Sequence, residues 1–154
     1  MPCNLTIIGE NLDIDALIFE SKLRGYSKHY KGQPRFKSKP DGIKLTHSQV
    51  STQTSKADFN DLDKQIKDTI KYLKRNIVKL NIIQQTKEID LAILDFGINL
   101  RIDKKKVLLQ SDRFPNELLK LAGDIGLGIE LSIYPIEVQD ILETRGRNSR
   151  TKSA

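Results

Sequence analysis

Residues 3–9, Cys-Asn-Leu-Thr-Ile-Ile-Gly, alternate apolar and polar side chains and end on glycine. Successive side chains on a strand point to opposite faces, so this pattern predicts a first β-strand with one buried face. Ile14, Leu17 and Ile18 then recur at helical spacing behind Asp13, a residue whose carboxylate can cap a helix N-terminus, and Gly25 suits a left-handed C-terminal residue. A helix over about 14–24 follows. From Tyr26 to Gly42 the periodicity is lost among lysines, glycines and the prolines Pro34 and Pro40, which block helix and interior strand alike. This segment reads as a long loop, after which Ile43, Leu45, His47 and Val50 alternate as a second strand ahead of the polar run 51–56.

The most regular pattern spans 58–82. Phe59, Leu62, Ile66, Ile70, Leu73, Ile77 and Leu80 recur at a mean spacing of 3.5, with acids gathered in the first half and bases in the second, as the helix dipole favours. Such a helix would be about 37 Å long at 1.5 Å per residue. Its stripe serves either as the cover of a sheet or as the seam of a homodimer, with Val78, Ile82 and Ile83 beside it. Ile89, Leu91 and Ile93 then alternate on odd positions, whereas Leu94, Phe96, Ile98, Leu100 and Ile102 do so on even ones. A bulge near Ile93-Leu94 or a bend at Gly97 would keep both sets in the core. Lys106 to Gln110 reads as a further strand, Pro115 as the first turn of a helix ending at Gly126 or Gly128, and Ile129, Leu131 and Ile133 as the last strand.

The predicted order is β-α-β-α-β-β-α-β. This implies an α+β fold: a mainly antiparallel sheet of about five strands with three helices on one face. Residues 1–142 form one domain, and 143–154, rich in Arg, Ser, Asn and Thr, are expected to be a disordered basic tail.

Composition narrows the chemistry. The 154 residues are 38% apolar and 30% charged, as in ordinary water-soluble domains, and contain no run of roughly 18–20 apolar residues. A cytoplasmic location is expected, with no membrane partner. One cysteine, Cys3, and two histidines, His29 and His47, leave little for disulfides, a structural zinc or a nucleophile–histidine relay. No glycine-rich phosphate loop is present, and Asp13, Asp15, Asp90 and Asp95 lack the close spacing of a calcium loop. Neither a catalytic residue nor a metal or cofactor is expected.

Charge is regional. The net charge is +6, yet residues 22–44 alone carry +7 and the tail from Glu143 a further +3, which leaves the remainder at −4. Bases and aromatics interleave in the loop: Lys22, Arg24, Tyr26, Lys28, Tyr30, Lys31, Arg35, Phe36, Lys37 and Lys39. With Arg145 and Arg147 of the tail they make a candidate surface for a partner protein or for RNA or single-stranded DNA, where aromatics stack on bases and lysines meet phosphates. The alternative is that the aromatics anchor the loop while its lysines are simply solvated.

Several strings resemble a bacterial family known as domain of unknown function 4279. Gly9-Glu10-Asn11-Leu12-Asp13 is similar to its turn after the first strand, Lys31-Gly32 to its step after the first helix, and 114–119 with 125–129 to its closing helix and strand. The resemblance covers about residues 4–135. Members tend to carry a tryptophan in the second strand, where this chain has Ile43 and Leu45. It implies a small, non-catalytic protein, with some relatives placed near toxin and immunity genes, and it carries over no functional residues. Two functions are therefore expected to compete: an immunity-type protein that neutralises a partner protein such as a toxin, and a nucleic-acid-binding module.

Overall fold

The computed structural model describes residues 2–102 and 106–135. The expected tail, with Arg145 and Arg147, and Lys104-Lys105 lie outside the described residues. The fold is α+β: a five-stranded, mostly antiparallel sheet and four helices. The strands are β1 (Cys3–Gly9), β2 (Ser27–His29), β3 (Ser48–Ser55), β4 (Leu91–Asn99) and β5 (Gly128–Tyr134), in the sheet order β2-β3-β1-β4-β5. The helices are α1 (Ile14–Ser21), α2 (Leu62–Leu80), α3 (Ile82–Gln85) and α4 (Asn116–Ile125). Neighbouring strands run antiparallel except β4 and β5, which are parallel and joined through α4.

Cys3, Leu5 and Ile7 of β1, Val50 of β3 and Ala92, Leu94 and Phe96 of β4 bury one face of the sheet in a cluster that includes residues of all four helices. Each fully buried Leu or Phe stabilises this cluster by about 1.5–3 kcal/mol relative to exposure. The stripe of α2 lies in it too: Leu73 and Leu80 are fully buried, Ile66 nearly so, and Ile70 and Ile77 pack against them. That use leaves Val78, 83% exposed, as the apolar residue of the helix most available to a second copy.

Several elements depart from the periodicity. The long helix starts at Leu62, not Asp58, because the Asp58 carboxylate accepts from Asn60 N in a turn and Asp61 is the residue that caps, accepting from Lys64 N at 3.0 Å. It stops at Leu80, and Ile82–Gln85 form a separate turn of helix. Helix α1 stops at Ser21, with its left-handed end at Lys22 (φ 54°) rather than Gly25. A side chain with a Cβ costs roughly 1 kcal/mol or more in that conformation. In α4 a glycine takes the same role, Gly126 at φ 81°.

The second expected strand, 43–50, belongs mostly to a loop, and β3 falls on the polar run instead. Two of its buried hydroxyls are satisfied by α2: Thr54 Oγ1 meets Thr69 Oγ1 at 2.9 Å and Ser55 Oγ donates to Asp68 at 2.9 Å. Residues 106–110 are irregular apart from an isolated bridge at Val107, with Leu108 and Leu109 exposed. Nor does β4 bulge. Its register against β1 is unbroken from Leu91 to Phe96, so the odd-numbered Leu91 and Ile93 turn away from the helices. The register shift lies between Cys3 and Asn4, opposite β3.

Candidate functional site

The basic loop is an arm paired by its own backbone hydrogen bonds. Gly32 N donates to Leu45 O, Leu45 N to Gln33 O and Arg35 N to Ile43 O, pairing its two sides, and successive turns at 36–39 and 39–42 close the tip. Its root is tied to acids and to a tyrosine of the body. Lys28 pairs with Asp15 at 2.6 Å and Lys31 with Glu10 at 2.8 Å. Tyr30 Oη donates to both Asp15 carboxylate oxygens, at 3.1 and 3.2 Å, and the Tyr26 and Tyr72 hydroxyls meet at 2.8 Å. The bonds from Lys28 and Tyr30 hold the Asp15 carboxyl below its ordinary range, and Asp15 in turn raises Lys28. Burial pushes the Tyr26 and Tyr72 hydroxyls up.

The sequence-identified residues therefore separate. Tyr26, Lys28, Tyr30 and Lys31 are engaged by the protein itself. Arg35, Phe36, Lys37 and Lys39 sit at the arm tip, where Arg35 lies 5.8 Å from the Phe36 ring centroid and Phe36 is 59% exposed. Lys22 and Arg24 lie elsewhere, lining a cleft of about 750 Å³ with Phe19, Glu20, Leu23 and Lys79.

A second surface was not among the sequence candidates. Strand register places Asn4, Thr6 and Ile8 of β1 on the sheet face away from the helices, opposite Gln53, Ser51 and Gln49 of β3 and Asp95, Ile93 and Leu91 of β4. Ile8, Leu91 and Ile93 form an apolar strip, with Leu91 45% exposed. Polar residues surround it. Asn4, Thr6, Gln49, Ser51, Gln53 and Asp95 line a groove of about 440 Å³, and Glu130 of β5 stands beside Asp95, which accepts from Ser132 Oγ at 2.7 Å. The sequence signal for this face was the odd-numbered pair Leu91 and Ile93.

Other chemistry is dispersed. Asp90 accepts from Glu10 N at 2.7 Å, His29 is exposed on β2, and His47 lies half-buried beside Thr46. Cys3 is buried, and loss of solvation pushes its thiol up to about 11. Among the described residues no three His, Cys, Asp or Glu side chains gather as a metal site, and no helix is long and apolar enough to cross a membrane. No protein-family model, curated protein or solved structure matches the chain.

Proposed function

We propose that this chain is a non-catalytic interaction protein that docks a partner protein on the sheet face opposite its helices, in the manner of an immunity protein covering a toxin. The observation that carries this reading is the strip Ile8–Leu91–Ile93 set in a rim of amides, hydroxyls and carboxylates. An apolar centre inside a polar rim is the common anatomy of a protein–protein interface. The charge on this face is acidic, from Asp95 and Glu130, although the chain as a whole is +6. A basic partner fits such a face, and complementary potentials speed its encounter. A cytoplasmic setting suits the reading.

The test is affinity capture from the native host with the full chain, comparing wild type with Thr6→Arg and Ile93→Lys. A stoichiometric protein retained by wild type and by a Lys37→Ala/Lys39→Ala arm variant, but lost from both face variants, is the expected result. Equal retention by all the variants, or no stoichiometric partner, would refute the docking face.

A further inference from the structure

The cleft at the end of α1 shares no lining residue with the groove of the docking face. Lys22 and Arg24 approach it from the chain just after α1, and Lys79 from the last turn of α2. None of the three makes an ion pair among the described residues, and Glu20 is the one carboxylate in the lining. Such a cleft attracts anions. At about 750 Å³ it is also within the size range of small-ligand sites.

Two features of the lining are unexplained by the fold. Phe19 is 83% exposed on a helix whose buried side is Ile14, Leu17 and Ser21, so its ring faces water beside the three cations. Lys22 is the only non-glycine residue with positive φ among the described residues. Glycine would serve this helix end better, as Gly126 does for α4. A strained residue in a cleft points to a role for its side chain.

We infer that this cleft binds a nucleotide unit, with the base stacked on Phe19 and the phosphate held by Lys22, Arg24 and Lys79. Any base offers a π face to the ring, and each cation is a donor to phosphate oxygens. The same chemistry occurs in a free mononucleotide and in a single strand. The inference does not depend on partner docking at the sheet, because the two surfaces share no lining residue.

The experiment titrates the full chain with adenosine 5′-monophosphate and with a single-stranded RNA of about ten nucleotides, at about 50 and about 200 mM salt. Lys22→Gly is the decisive variant. Because it relieves the backbone while removing the cation, its melting temperature should equal or exceed wild type while affinity falls at least fivefold. Phe19→Ala should weaken binding by about tenfold, in keeping with the loss of one stacked base. Binding of the mononucleotide assigns a free-nucleotide site, and binding of the RNA alone assigns a single-strand site. Absence of binding by both probes, indifference to Phe19→Ala and Lys22→Gly, or loss only on substituting Arg35, Lys37 and Lys39 would overturn the assignment.

Discussion

Gln65 is a fully buried polar side chain in α2 whose amide joins two parts of the fold. Its Nε2 donates to Asp58 O at 2.9 Å, at the turn before the helix, and to Gly97 O at 2.8 Å in β4, while Oε1 accepts nothing among the described residues. Gln65→Leu removes both donors at nearly constant volume. Leaving the Gly97 carbonyl buried without a partner costs about 1–3 kcal/mol, and the partly solvated Asp58 carbonyl adds less. Loss of the unpartnered Oε1 offsets part of this. The net expectation is about 2 kcal/mol, or roughly 4–8 °C in melting temperature for a chain of this size.

Gln65→Glu makes a sharper test. Its carboxylate would face two carbonyl oxygens in a buried site, so its folded pKa must rise above the ordinary value of about 4.3. A raised acid contributes its full stability below the unfolded pKa and loses it as pH rises through the folded one, by about 1.4 kcal/mol per pH unit. The variant should thus lie close to wild type near about pH 4.5 and fall well below it near about pH 7.5. Urea unfolding followed by far-ultraviolet circular dichroism suits a chain without tryptophan. A Gln65→Leu protein as stable as wild type, or a Gln65→Glu deficit independent of pH, would refute the staple.

Three further outcomes follow from the packing. A Cβ on Gly9 would stand 2.0 Å from Glu88 O and 2.8 Å from Leu12 Cβ, so Gly9→Ala should lower stability by about 1–3 kcal/mol in the same urea assay. The Cys3 thiol rises from 9.0 to about 11, so its contribution is complete below about pH 9 and is lost as pH climbs toward 11; alkaline unfolding should show a loss of about 3 kcal/mol that Cys3→Ala flattens. Asp15 titrates below its ordinary 3.8, so its hold on Lys28 and Tyr30 is complete above that value and fades as pH falls through the lower, folded one. Asp15→Asn should speed amide exchange over residues 28–31 at neutral pH, and equal rates in the two proteins would exclude this anchor.

Local signals were legible where side chains act alone. Asp13 caps α1, accepting from Ala16 N at 3.0 Å, Gly126 ends α4, and β1 and β5 lie close to their alternating segments. What escaped the sequence depends on tertiary partners. The run 48–55 carries a single large apolar residue, Val50, and becomes a strand between β1 and β2, where Thr69 and Asp68 of α2 satisfy its buried Thr54 and Ser55 hydroxyls. The shift of parity near Ile93 suggested a bulge, since periodicity counts apolar residues without showing that a second sheet face is left to take them. In the loop, composition revealed the bases and aromatics but not Asp15, Glu10 and Tyr72, the groups that engage four of them. Phe19 and Lys79 escaped because each lies on a different helix.

The central position of β1 has a bearing on biosynthesis. The strand at the middle of the sheet is the first to be translated, and its two neighbours follow only with Ser48–Ser55 and Leu91–Asn99. Until Asn99 has left the ribosome, Leu5 and Ile7 lack one of their flanking strands, and the nascent chain exposes an adhesive β-segment to solvent. The centre of the sheet therefore closes only once residue 99 is available, and the interval before that is when a holding chaperone would matter most.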